Sequence, residues 1–265
     1  MTVDKDKVIA ELDKLRDAGV LDEIARKAFH EKFITSGFEK LDNMTNGFKE
    51  GELIIIGALP SLGKTTLAVS MVSHICFEKR YPTEFFSLEM SSTKLKSLLI
   101  PENSEANFDA PLYIVDTLNM SLDDLCTQAH GYCSRQQVKI IFIDYLGLID
   151  HEPMFDISRS LKSLAMELKI SVAALCQLPG ESQEKAPTLA DLGSMEQDAD
   201  LVLFLHRPVN EASKMRLTDL ILAKQRNGHT GVVKLGITKL LMNGEARRFV
   251  QEEEKTNEGG KNGNF

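Results

Sequence analysis

The sequence predicts an α/β fold: a mostly parallel sheet covered by helices, with antiparallel strands at its C-terminal end. Three observations carry that expectation. Short apolar runs alternate with helical periodicities from Phe38 onward, the pattern of parallel strands joined by crossover helices. A glycine-bearing turn at 57–66 stands between one such run and one such helix, a strand–turn–helix context. Beyond Leu217, turn signals at Asn227-Gly228, Gly231 and Asn243-Gly244 separate the runs, as antiparallel pairing requires.

Taken in order, residues 1–34 read as a helical linker. Val8, Leu12 and Leu15 form one stripe, and Leu21, Ile24 and Ala28 a second after a break near Gly19. That narrow face suits packing on its own domain or on a neighbouring copy. Strands are expected at Leu53–Gly57, Thr83–Leu88, Leu112–Val115, Ile140–Asp144, Val172–Cys176 and Leu201–Leu205. Helices are expected over Lys64–Glu78, Leu122–Gln137 and Ile157–Leu168, long enough to serve as right-handed crossovers. Residues 35–250 form the one large domain of this reading. The acidic, glycine-bearing stretch 251–265 has almost nothing to bury and reads as a disordered tail.

A chain of 265 residues holds one sizeable α/β domain and not two. Its 43% hydrophobic and 26% charged residues include no apolar run approaching the roughly 20 residues that span a bilayer. The mixed charges of Met1–Arg16 suit neither a signal nor a transit peptide, so a cytoplasmic protein is expected, with no membrane partner. Cys76, Cys126, Cys133 and Cys176 lack paired spacing and read as reduced thiols. Cys126, His130 and Cys133 share a helix face, which a buried stripe explains more simply than a metal lacking a fourth ligand. The net charge of −8 argues against nonspecific coating of nucleic acid, yet residues 201–250 hold nine Lys or Arg against three acids. That stretch of the chain is locally basic.

The chemistry concentrates at Gly57-Ala58-Leu59-Pro60-Ser61-Leu62-Gly63-Lys64-Thr65-Thr66. Backbone N–H groups of such a loop wrap a phosphate at a helix N-terminus. Residues Ala58 and Pro60 to Thr66 are the expected ATP contacts: Lys64 neutralises the β- and γ-phosphates and the Thr65 hydroxyl ligates Mg²⁺. Ala58 occupies a position usually written Gly. Asp144, where the run Ile140–Ile143 ends, is the expected acid on the metal, although a strand-end Asp alone often caps a turn. Glu89, just after Phe85–Leu88, is the expected base for the attacking water, its alternative being a solvated loop carboxylate. Gln177, following Val172–Cys176, suits an uncharged γ-phosphate sensor. Lys224 and Arg226 put two cations on one strand face, an arrangement that suits an arginine finger. Composition alone favours a solvated pair there.

Together these segments resemble the motor domain of the DnaB family of replicative DNA helicases, a RecA-like P-loop ATPase. The resemblance runs over about residues 34–250 through Thr35-Ser36-Gly37-Phe38, the phosphate loop, Phe86-Ser87-Leu88-Glu89-Met90-Ser91, Ile143-Asp144-Tyr145-Leu146, Ile157-Ser158-Arg159-Ser160-Leu161-Lys162, Gln177-Leu178, Glu196-Gln197-Asp198-Ala199-Asp200 and Lys224-Gln225-Arg226-Asn227-Gly228. It implies an ATP-dependent helicase moving 5′ to 3′ on single-stranded DNA as a homo-hexameric ring, with Lys224 and Arg226 reaching the neighbour's nucleotide. It also implies DNA contacts in a central channel, for which Arg159, Lys185 and Gly193 are the candidates, and partners among primase, a helicase loader or a host replicative helicase. Three differences stand beside it: the resemblance lacks the family's N-terminal collar, the stretch from Met90 to Pro111 is shorter, and Asp191-Leu192 passes to Gly193 without the usual Arg-Glu-Ser. Two rivals remain: a truncated paralogue that regulates, loads or inhibits a host helicase, and an ATPase of the RecA or KaiC kind.

Overall fold

The computed structural model describes residues 33–99, 110–149, 153–180, 184–208, 217–239 and 247–251. The helical stripes of the N-terminal linker, the Asn243-Gly244 turn and the tail beyond Gln251 lie outside the described residues.

Among the described residues one sheet of nine strands runs β3-β2-β4-β5-β1-β6-β7-β8-β9. The strands are β1 (Leu53–Ala58), β2 (Thr83–Ser87), β3 (Leu112–Val115), β4 (Ile140–Asp144), β5 (Ser171–Gln177), β6 (Leu201–His206), β7 (Thr218–Gln225), β8 (Gly231–Lys239) and β9 (Arg247–Gln251). Strands β1 to β6 pair in parallel. β6 pairs antiparallel with β7, β7 with β8 and β8 with β9. This is the α/β architecture that the alternating pattern predicts. β1, β2, β4 and β6 are buried along their whole length, which is why β1, β4 and β6 read as near-continuous apolar runs and not as alternating ones.

The helices are α1 (Glu39–Thr45), α2 (Lys64–Val72), α3 (Ser92–Leu99), α4 (Leu122–Gln136), α5 (Met154–Leu168) and α6 (Met195–Asp198). α2 continues into a π-helical turn over Ser73–Glu78, so the predicted Lys64–Glu78 helix changes its hydrogen-bond spacing at Ser73. α4 starts at a side-chain cap, Ser121 Oγ accepting from Asp124 N. α5 begins three residues before the expected Ile157, just after Pro153. α1 and α3 are absent from the sequence expectation because seven or eight residues show too little periodicity. Gln251, assigned to the tail by composition, is the last residue of β9, and its Oε1 accepts from Lys40 N at 2.7 Å.

Two features place the functional groups. In the parallel strands, the C-terminal ends of β2, β4, β5 and β1 lie side by side: Ser87 pairs with Asp144, and Ala58 with Gln177. In β7, a bulge at the Val202/Leu203 register leaves Ala223 without a partner and re-aims the residues after it. No helix among the described residues is long and apolar enough to cross a membrane.

Candidate functional site

The phosphate loop leaves β1 at Ala58 and enters α2 at Lys64. Gly63 has φ +99°, and a Cβ there would stand 3.2 Å from a ring carbon of Phe249, so both backbone and space call for glycine. At Gly57 a Cβ would come within 2.8 Å of the Phe204 ring. Ala58 sits in extended strand, paired with Gln177 and Leu205 and fully buried. Its backbone is that of any strand residue, and its methyl belongs to the core.

Lys64 is nearly buried, its Nζ 4.9 Å from the centre of the Tyr145 ring, a cation–π contact that steadies the side chain. The Thr65 hydroxyl donates to Asp144 Oδ2 at 2.6 Å. Asp144 is 1% exposed, and its Oδ1 has no hydrogen-bond partner among the described residues. Burial pushes its pKa up to about 6, with the Thr65 hydroxyl and the Lys64 charge pulling the other way and Glu89 adding to the rise. A buried carboxylate oxygen without a donor, beside a threonine hydroxyl, is a donor set that suits a hard cation.

Glu89 lies two residues past β2, where Leu88 N donates to Asp144 O at 2.8 Å and Ser87 Oγ to Met90 O at 2.6 Å. The first bond ties the β2 exit to β4, the second closes the turn that follows, and the Glu89 side chain is left exposed. Gln177 is likewise exposed at the end of β5, while Leu178 N donates to Ala58 O at 2.9 Å. Glu89, Asp144, Gln177 and the phosphate loop thus share one edge of four adjacent strands, the crevice where open α/β sheets bind ligands.

Lys224 and Arg226 are elsewhere. Lys224 Nζ donates to Glu196 O, Arg226 Nη2 to Gln197 O at 3.3 Å, and Arg226 Nε lies 3.4 Å from Asp200 Oδ1. Arg226 N also donates to Asp200 O, and Asp200 N to Leu53 O. Arg226 is therefore level with the start of β1, whereas the phosphate loop begins after its end. The five residues between span about 17 Å at ~3.3 Å each, farther than an arginine side chain extends.

The three residues expected to meet DNA are all exposed. Arg159 on α5 stacks over Phe155 at 4.3 Å. Lys185 lines a cavity of about 510 Å³ with Leu59, Leu178, Pro179, Thr188 and Asp191. Gly193, at φ 59° and ψ −133°, follows a capping box in which Thr188 and Asp191 bond reciprocally. That backbone region is glycine's.

Three contributors escape a reading by sequence alone. Tyr145 under Lys64 had a signal, since it follows Asp144 directly. Phe249 against Gly63 joins residues far apart in the chain, with Phe249 N donating to Ser70 Oγ at 3.0 Å. Asp200 had a weak signal, an acid placed immediately before an all-apolar strand. Cys126, His130 and Cys133 do not converge: no group of three or more candidate ligands could hold a metal among the described residues.

The family model described as the DnaB-like helicase C terminal domain matches residues 34–110 and 99–246. The chain is similar to the replicative DNA helicase DnaB of Treponema pallidum (strain Nichols), 46% identical over 237 residues, 76% of this chain and 53% of that protein. It is 32% identical over 267 residues to the replicative DNA helicase DnaB of Geobacillus stearothermophilus, 85% of this chain and 58% of that one. The chain thus spans little more than half the length of these relatives. Among solved structures, an ATPase domain solved as a chain of its own matches with a TM-score of 0.70 and 26% identity, covering 90% of this chain and 99% of that one. A DnaB-like replicative helicase, solved in a study of its interactions with primase, matches at 0.69 and 26%, over 94% of this chain and 71% of that one.

Proposed function

Because the chain belongs to the DnaB-like helicase C-terminal domain family, we propose that it is the ATP-hydrolysing motor of a DNA helicase, working as a ring on single-stranded DNA. The observation that carries this reading is the division of the candidate site: phosphate loop, Asp144, Glu89 and Gln177 share one edge of the sheet, while Arg226 sits level with the start of β1 and Lys224 reaches away from the loop to Glu196 O. A cation so placed serves a nucleotide only on another copy.

Each side chain has a role in this scheme. The loop Ala58–Thr66 takes the phosphates on its backbone N–H groups, and Lys64 neutralises the β- and γ-oxygens. Thr65 and Asp144 hold Mg²⁺, which when bound offsets phosphate charge; the donorless Oδ1 of Asp144 supports that fit. Glu89 takes the proton of the attacking water, and its exposure leaves it free to turn toward it. Gln177 hydrogen-bonds the γ-phosphate and carries its presence into the loop that follows. Arg226, with Lys224 beside it, meets charge developing on the neighbour's γ-phosphate.

Translocation 5′ to 3′ and a hexamer are the family's expectation for such a ring. Lys185 and Gly193 supply the DNA-facing tract beyond Gln177, with Arg159 as a further contact. Primase is the partner with most support, from the solved helicase studied with it.

The test is ATP hydrolysis with and without single-stranded DNA at stated salt. Stimulation of tenfold or so that weakens as salt rises supports a DNA motor. Hydrolysis indifferent to DNA at every salt contradicts it and favours a regulatory paralogue, for which the missing Arg-Glu-Ser before Gly193 is the motivating feature.

A further inference from the structure

Asp200 gathers three elements on one carboxylate. It lies two residues past the end of α6 and is 6% exposed. Its Oδ2 accepts from Leu53 N at 2.8 Å and from Lys162 Nζ at 2.6 Å, and Lys162 also donates to Gly51 O at 2.7 Å. These bonds pin the carboxylate to the start of β1 and balance its charge with one lysine. Oδ1 then faces a second cation that burial does not require: Arg226, its Nε 3.4 Å away. The same guanidinium donates through Nη2 to Gln197 O, and the Arg226 backbone N–H to Asp200 O at 2.9 Å. One edge of Arg226 is therefore engaged twice within its own chain. Half of its side-chain surface stays exposed, against 8% for Asp200.

We infer that Asp200 is a positioning residue for Arg226, clamping the Nε edge of the guanidinium so that its other donors are held outward for the phosphate of a neighbouring copy. An arginine free at the tip of a hairpin samples many rotamers; one fixed along a single edge keeps the planar fork that matches a phosphate. Asp200 does this from a rigid base, because Lys162, Leu53 and the start of β1 hold it in turn. The inference rests on the proposal that Arg226 acts across copies.

Complementation between variants separates the two claims. Asp200→Asn should lower kcat for ATP about 10- to 100-fold, the usual scale for a misplaced catalytic group, with KM for ATP within about twofold. Mixing Lys64→Ala with Arg226→Ala chains is the control, since each supplies what the other lacks. Where that control regains activity, Asp200→Asn should also regain it with Lys64→Ala, whose own Arg226 is correctly held. It should regain none with Arg226→Ala, because neither chain then presents a held guanidinium. If Asp200 served only the packing of β1, Asp200→Asn would damage its own phosphate loop, and Lys64→Ala could not rescue it. That outcome, or rescue by Arg226→Ala, overturns the inference. Failure of the control itself overturns the trans reading and the inference with it. Should Asp200→Asn not fold, Asp200→Glu keeps the charge while displacing the carboxylate by one methylene, and must show the same pattern with a smaller loss.

Discussion

The two ends of the sheet do different work with different materials. At the C-terminal edge of β2, β4, β5 and β1, Thr65 donates to the buried Asp144, the nearly buried Lys64 lies over the Tyr145 ring beside it, and one oxygen of Asp144 is left without a donor. At the other end, Lys224 and Arg226 are held by backbone carbonyls of α6 and by Asp200, with half of Arg226 exposed. The first end is shaped to receive a ligand, the second to offer a charge outward. The difference teaches that, on the proposed reading, the chain carries the groups that handle a nucleotide but needs a second copy to complete the site.

The sharpest way to break that comparison is to disable each end in turn. Lys64→Ala should reduce hydrolysis to background and weaken nucleotide binding, because nothing else in the loop neutralises the phosphates. Arg226→Ala should lower kcat by about 10³-fold or more, the scale of a lost arginine finger, while ATP binding by a fluorescent analogue is retained. Equal loss of binding in both variants would erase the division between the ends.

Smaller effects come from the supports. Gly63→Ala meets both a left-handed backbone and the Phe249 ring, at a cost of about 1–3 kcal/mol. ATP should then bind roughly 5- to 150-fold more weakly by calorimetry; unchanged affinity would show that the ring and loop yield freely. Glu84, the second residue of β2, provides a control away from both groups of side chains. Neither of its oxygens has a partner among the described residues, and burial pushes its pKa up to about 8 from an ordinary 4.5. The folded state then keeps a proton that the unfolded chain gives up. The stability linked to that proton is fully present below pH 4.5 and is lost as pH rises to about 8. Glu84→Gln should therefore be near neutral at pH 5 and raise Tm at pH 8, by about 2–4 °C for each kcal/mol relieved, with kcat unchanged. A Tm difference independent of pH would contradict a protonated Glu84.

Most of the architecture was legible because buried strands write themselves as apolar runs. Ile140–Ile143 and Leu201–Leu205 are legible for that reason, and the phosphate loop because Gly63-Lys64-Thr65 has few other uses between strand and helix. The antiparallel end was legible from Asn227-Gly228. What escaped depends on contacts across the sequence. No local pattern tells that Asp200 meets Lys162 and Arg226, or that Phe249 closes over Gly63 from 186 positions away. The bulge opposite Val202/Leu203 has no signature in Leu222-Ala223-Lys224, although it re-aims the two cations. Their spacing was visible; the end of the sheet they occupy follows only from the register of β6 against β7.

The division of the site is tested most directly by the hydrolysis rate per chain of the unaltered protein, followed by dilution alongside its mass in solution. A shared site predicts that the rate per chain collapses as assemblies dissociate and returns on concentration. A rate per chain that holds constant down to the monomer would mean that each copy completes its own site, and would contradict the account.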